Sequence, residues 1–307
     1  MTGARLLARS DAALQQRHQH DALDLARRLP GLLLEAKQIA ASVVHGVHGR
    51  RRAGIGENFW QFRPFVSGEP AQNIDWRRSA KDDRVYIRER EWEAAQSIWV
   101  WMDMSPSMAF VSKTALAPKI DRALVLGLAL ADLLVRGGER VGIPGLVRPM
   151  AHQHIVERLA QALIADAKTK PTPDELPPGE ALAPLSQAVL FSDFLSPPQD
   201  IAQRIAAMAI RGGQGHLVAV TDPVEETFPF SGHTEFSDVD SAARLRAGRA
   251  EDFREEYRLR LAAHRDALRE AALKHGWSFT VHHTDRPASE ALLRIAMQLG
   301  AAPVVGT

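Results

Sequence analysis

From Gln96 onward, short apolar runs alternate with long amphipathic stretches, and this order constrains the fold more than any other feature of the chain. The apolar runs are Ser97–Met102, Arg140–Ile143, Ala188–Ser192, His216–Thr221 and Ser278–His283, all of strand length. Between and after them lie Pro118–Arg136, His152–Ala165, Gln199–Arg211, Arg249–His275 and Ala288–Leu299, which read as helices. Gly137-Gly138, Gly212-Gly213 and Gly276 follow three of these, where a helix favours a left-handed residue as its stop. Strands joined by helices run mostly parallel, and a parallel sheet needs cover on both faces. The expected class is therefore α/β: a mostly parallel sheet covered by helices on both faces. The Arg249–His275 helix is expected to turn Phe253, Tyr257, Leu261, His264 and Leu268 inward.

The first 95 residues have a different texture. Within 1–42, Leu25, Leu29, Leu32, Leu33, Ala36, Ile39 and Ala40 keep helical spacing across Pro30-Gly31. That pair predicts a short helix, a break and a second helix. Residues 43–95 carry a Gly- and Arg-rich run, Gly46 to Gly56, then Phe59, Trp60 and Phe62, the turn Ser67-Gly68-Glu69-Pro70, and an alternating strand around Arg84–Arg90. They read as a β-rich Arg/aromatic flap packed on the core. The α/β domain spans 96–307, with a small hairpin inserted near 226–240, around Glu226 to Phe236.

Composition removes several kinds of chemistry. The 307 residues contain no cysteine, which excludes disulfides, thiol nucleophiles and zinc-thiolate sites. Net charge is +1, so the overall balance gives no pull toward nucleic acid or membranes. Met1 to His20 lacks an apolar leader, and the greasiest run, Ala123 to Val135, contains Asp132 and is too short to span a bilayer. A cytoplasmic protein without a membrane span is the default expectation.

The residues that carry chemistry follow two strands. Trp99-Val100-Trp101-Met102 ends in Asp103, with Ser105 and Ser107 at alternate positions after it; Val189-Leu190-Phe191-Ser192 ends in Asp193. In an open α/β sheet, ligands bind beyond the carboxyl ends of the strands. Carboxylates and hydroxyls gathered there suit a hard divalent cation such as Mg2+. The Asp103, Ser105 and Ser107 triplet taken alone reads first as a turn former, because such side chains bond local backbone; Asp193 at a second strand end turns the reading toward a metal.

Other constellations read as structure. Arg50-Arg51-Arg52, Arg63, Arg77 and Arg78 with Phe59, Trp60, Phe62 and Trp76 superficially resemble a nucleic-acid platform. The interspersed Glu57, Glu69, Asp75, Asp82 and Asp83 favour instead a flap held by Arg–carboxylate pairs around buried aromatics, with Asp75 tied to Arg77 or Arg78 beside Trp76. No nucleic-acid partner is expected. His45, His48, His152, His154, His282 and His283 show no zinc spacing. No phosphate-binding Gly-Lys-Ser/Thr loop and no Gly-x-Ser-x-Gly elbow is present.

The Asp103-Met104-Ser105-Pro106-Ser107-Met108 run resembles the metal-ion-dependent adhesion site of von Willebrand factor A domains. Gly54-Ile55-Gly56-Glu57-Asn58-Phe59, Arg63-Pro64-Phe65, Gly68-Glu69, Ile74-Asp75-Trp76-Arg77-Arg78-Ser79-Ala80 and Asp222-Pro223-Val224-Glu225 resemble bacterial domain-of-unknown-function family 58. The resemblance covers roughly Val43 to Leu299. It implies a von Willebrand factor A-like fold and a non-enzymatic protein-interaction role beside a MoxR-type AAA+ ATPase and its protein clients, in a chaperone-like system. It also implies Asp103, Ser105, Ser107, Asp193 and a threonine, Thr172, as ligands of Mg2+ or another divalent cation; Thr169 competes for the threonine position. Phe194 stands where glycine often follows the second aspartate. Two alternatives stay open: a magnesium-dependent phosphohydrolase, which lacks a second carboxylate because Ser105 occupies its position, and a scaffold with a vestigial metal loop.

Overall fold

The computed structural model describes residues 24–43, 53–67, 69–82, 84–91, 95–169, 174–237 and 244–300. The chain divides into two compact units, Met1–Val47 with Gln96–Thr307, and His48–Ala95.

The larger unit begins with helix α1 over 24–43. Its strands are β3 (Ser97–Met102), β4 (Arg140–Ile143), β5 (Val147–Met150), β6 (Gln187–Ser192), β7 (Gln214–Thr221), β8 (Thr234–Ser237), β9 (Arg244–Ala247) and β10 (Ser278–His283). Its further helices are α3 (Lys119–Arg136), α4 (Ile155–Thr169), α5 (Pro198–Ala209), α6 (Pro223–Thr227), α7 (Arg254–Lys274) and α8 (Ala288–Gly300). Six strands form one sheet in the order β10-β7-β6-β3-β4-β5. All neighbours in it are parallel except β4 and β5.

The sheet is covered twice, and strand sequences show how. Side chains alternate across a strand. Ile98, Val100, Met102, Val189, Phe191, Val218 and Val220 enter one core with α1, α3, α4 and α8. Their sequence neighbours Trp99, Trp101, Ala188, Leu190, Leu217 and Ala219 enter another with α5 and α7. Each fully buried large side chain stabilises the fold by about 1.5–3 kcal/mol, which makes apolar residues at both parities obligatory in these strands.

Several elements differ from the sequence expectation. Helix α1 runs unbroken through Pro30-Gly31. Its Leu25, Leu29, Ala36, Ala40 and Val43 are buried in the first core, and Arg28 and Lys37 pair with Asp121 of α3 and Glu157 of α4. Packing along the whole face outweighs the backbone hydrogen bond that proline removes. Strand β5 was not expected: Val147–Met150 is short, contains Pro149 and sits at the sheet edge, where proline is tolerated. The inserted hairpin is β8–β9, later than expected. Residues Pro223–Thr227 form α6 instead, because Asp222 and Glu225 make a reciprocal capping box around Pro223. Phe228, Phe230, Phe236 and Tyr257 cluster by their rings beside it. Phe253 precedes α7 in a 3-10 turn and is exposed, so the inward stripe begins at Tyr257.

The smaller unit pairs β1 (Ala53–Pro64) with β2 (Tyr86–Glu91), antiparallel, around the four-residue α2 (Trp76–Ser79). Arg63 forks onto Glu69, and Arg78 lies 3.9 Å from Asp82. Among the described residues Asp75 meets no guanidinium and instead caps α2 by accepting from the Arg78 amide at 2.8 Å. The expectation of buried aromatics fails for Trp76, which is 65% exposed, and for Phe62, also exposed. The side chains of Phe59 and Trp60 lie outside the described residues, as do His45 and His48.

One close approach on the second core can be tested. A Cβ on Gly215 of β7 would meet the Trp277 ring at 2.3 Å, and that ring is fully buried with its Nε1 donating to the Gly213 carbonyl at 2.9 Å. Gly215→Ala should cost about 1–3 kcal/mol by overpacking, read as a lower urea midpoint at unchanged slope.

Candidate functional site

The site lies where the sheet reverses its order. After β3 the chain crosses to β4 on one side; after β6 it crosses to β7 on the other. Adjacent parallel strands whose connections diverge leave a crevice at their carboxyl ends. Asp103 and Asp193 follow these two strands directly. The Asp103 amide donates to the Phe191 carbonyl at 2.8 Å, so the pairing persists up to the site.

The structure brings Asp103, Ser105, Ser107 and Asp193 into one hydrogen-bonded chain. Asp103 is 1% exposed; its Oδ1 accepts from the Ser105 amide at 2.8 Å and its Oδ2 from Ser192 Oγ at 2.6 Å. Ser107 Oγ donates to Asp193 Oδ2 at 2.8 Å. The Ser105 and Ser107 hydroxyls are 3.2 Å apart. Because Ser107 spends its proton on Asp193, Ser105 is the donor of that pair. Thr172 lies outside the described residues; Thr169, at the end of α4, spends its hydroxyl on the Ala165 and Asp166 carbonyls.

Sequence reasoning missed the residue that completes the cluster. Lys119 opens α3, its side chain is 1% exposed, and its Nζ lies 2.9 Å from Asp193 Oδ2 and 2.5 Å from Glu225 Oε1. Glu225 belongs to the capping box after β7: its Oε2 accepts from the Asp222 amide at 2.9 Å. Asp222, fully buried, accepts from Val224 N at 2.9 Å and reaches across to Ser112 N at 2.7 Å. The Leu116 amide donates to Thr284 O, just past β10, at 3.2 Å. The loop between β3 and α3 is thus fastened to the ends of β6, β7 and β10.

Burial pushes the Asp103 carboxyl up to about 6, against the opposing pull of the Ser192 hydroxyl and the Ser105 amide. Burial also works against charge on Lys119, but Asp193 and Glu225 more than reverse this and hold its pKa above the ordinary lysine value. Phe194 has a left-handed backbone, φ 52°, where glycine is most at ease. Its ring is buried in the second core, its amide donates to Ser192 Oγ at 2.9 Å, and its carbonyl lies 2.6 Å from His264 Nε2. Packing therefore holds a strained turn that aims Asp193 at the site.

The donors are of the kind a hard cation selects, and a cation is present among them: the Lys119 ammonium. Asp103 commits both oxygens to internal donors, and Asp193 Oδ2 takes Lys119 and Ser107. In this arrangement the ammonium takes the Asp193 oxygen that also accepts from Ser107, while Asp193 Oδ1 accepts, among the described residues, only from the Leu195 amide, at 3.3 Å. A cavity beside Asp193, Glu225 and Tyr257 measures about 10 Å³, room for about one water.

Fold and site together define a class: a doubly covered, mostly parallel α/β domain whose polar cluster sits at the switch point of its sheet. The family model described as "Protein of unknown function DUF58" matches residues 61–267, and the chain belongs to that family. It is also similar to uncharacterized proteins of Mycobacterium bovis and of two strains of Mycobacterium tuberculosis. Each is 27% identical over 255 residues, covering 78% of this chain and 79% of the relative. No solved structure matches the chain.

Two outcomes test this geometry. A carboxyl whose folded pKa lies above its unfolded value contributes stability below the unfolded value, near 4, and loses it as pH rises through about 6. Asp103→Asn should therefore gain on the wild type by about 1.4 kcal/mol between roughly pH 5 and pH 8, read from paired urea melts. Taking the difference separates Asp103 from His216 and His282, which burial holds down at about 4 and about 3; a difference independent of pH would contradict the assignment. Phe194→Gly relieves about 1 kcal/mol of backbone strain but forfeits about 3–5 kcal/mol of ring packing, so a net loss of about 2–4 kcal/mol is expected in the same assay.

Proposed function

We propose that this chain is a non-enzymatic protein-interaction module of von Willebrand factor A-like architecture, which docks a partner on the loops at the carboxyl edge of its sheet. One observation carries the reading. A run of polar groups at this edge is joined by hydrogen bonds, from Asp103 through Ser105, Ser107, Asp193, Lys119 and Glu225 to Asp222. On the same loops Phe110, Val111, Leu116 and Leu195 are exposed. A rigid polar foundation under exposed apolar side chains suits a docking surface, whose energy comes from a few desolvated anchors. A pre-fastened loop also loses little conformational entropy on binding.

The family resemblance supplies the partner class: a MoxR-type AAA+ ATPase and, through it, protein clients. Capture of such an ATPase by the immobilised full chain tests both the edge and the partner. Leu116→Asp and Leu195→Asp should each weaken capture tenfold or more, about 1.4 kcal/mol. Leu273→Asp, at the exposed end of α7, should leave it unchanged. Undiminished capture by both edge variants would refute the assignment of the surface.

A further inference from the structure

The adhesion-type resemblance asks for a divalent ion among Asp103, Ser105, Ser107 and Asp193, and the geometry answers with a side chain. We propose that the Lys119 ammonium is the resident cation of this site and takes the place of a divalent metal, so that the loops at the carboxyl edge assemble without metal.

The argument begins with position. Lys119 is the first residue of α3, a helix whose residues Ala123 to Leu133 are all buried. Its stem therefore has no route to solvent, and its ammonium is delivered beneath the strand ends. A buried ammonium without partners would shed its proton. Here two carboxylates face it, Asp193 at 2.9 Å and Glu225 at 2.5 Å, and the Phe110 ring centroid lies 5.8 Å away. The charge is kept because it is matched.

The ammonium also does the mechanical work of a metal. It joins segments that follow three different strands: its own helix after β3, Asp193 after β6 and Glu225 after β7. A magnesium ion bound directly to Asp193 would lie about 2.0–2.1 Å from it and would sit beside a like charge. The Asp193 oxygen in question already accepts from Lys119 and Ser107. Lysine is a compact point charge with three rotatable donors, which suits it to replace an ion among carboxylates.

This inference concerns what holds the site together, not what docks there, and its readout is the stability of the unliganded full chain. The thermal midpoint is measured in chelator and in millimolar Mg2+ or Mn2+. A resident metal must raise the midpoint by mass action. The wild type should show no metal-dependent rise, beyond about 1 °C, that Asp193→Asn abolishes; a larger rise of that kind would overturn the proposal. Lys119→Met should lower the midpoint by roughly 10 °C, because it leaves buried Asp193 and partly buried Glu225 side chains without a cation. Adding Asp193→Asn and Glu225→Gln to Lys119→Met should recover at least half of that loss. A Lys119→Met protein as stable as the wild type would overturn the proposal, as would a triple variant with no recovery. The triple variant and the wild-type metal series decide the matter even where Lys119→Met alone does not fold.

Discussion

A lysine sealed inside a protein has to be answered by negative charge, and much of this molecule's carboxyl edge follows from that demand. Lys119 is held between Asp193 and Glu225. Asp193 is fixed by the strained turn at Phe194, and Glu225 by the capping box that starts α6. Remove the ammonium and the two shielded carboxylates of Asp193 and Glu225 are left without a cation, which costs stability. The fastened loop, the aimed aspartate and the short helix after β7 meet in one charge arrangement.

The sheet makes the arrangement possible. Parallel strands put all their carboxyl ends on one edge, and the reversal of order between β3 and β6 opens a gap there. Helices on both faces seal the strands, and the polar groups at the edge bond one another. Asp103 illustrates the effect. It sits at the very end of β3, accepts one bond from its own loop and one from the end of β6, and is pushed up to about 6 by its burial. The DUF58 family, to which the chain belongs, is thereby given a physical site to argue about in this member.

Much of the sheet was legible from residue order. Ser97–Met102, Arg140–Ile143 and Ser278–His283 are apolar runs with sharp ends, and the strands have these limits. Asp103 and Asp193 were legible because each ends such a run. Strand β5 was not, since an edge strand with Arg148 and Pro149 carries no apolar signature. The hairpin was placed too early because Phe228-Pro229-Phe230 looks like strand material; those rings pack on Tyr257 and Phe236 instead. Lys119 was invisible for a deeper reason. Periodicity assigns a lysine to the wet face of a helix, and only the three-dimensional position of the α3 start beneath the strand ends turns it inward. The capping box of Asp222 and Glu225 likewise appears only in the structure, and its electrostatic use only once Lys119 is in place.

The account stands on an ammonium sitting where an ion would otherwise be. A crystal structure grown in manganese, with anomalous data collected at the manganese edge, looks at that place directly. It should show Lys119 Nζ between Asp193 and Glu225, with no anomalous peak among Asp103, Ser105, Ser107 and Asp193. A strong peak there, with Lys119 turned away from Asp193, would contradict it.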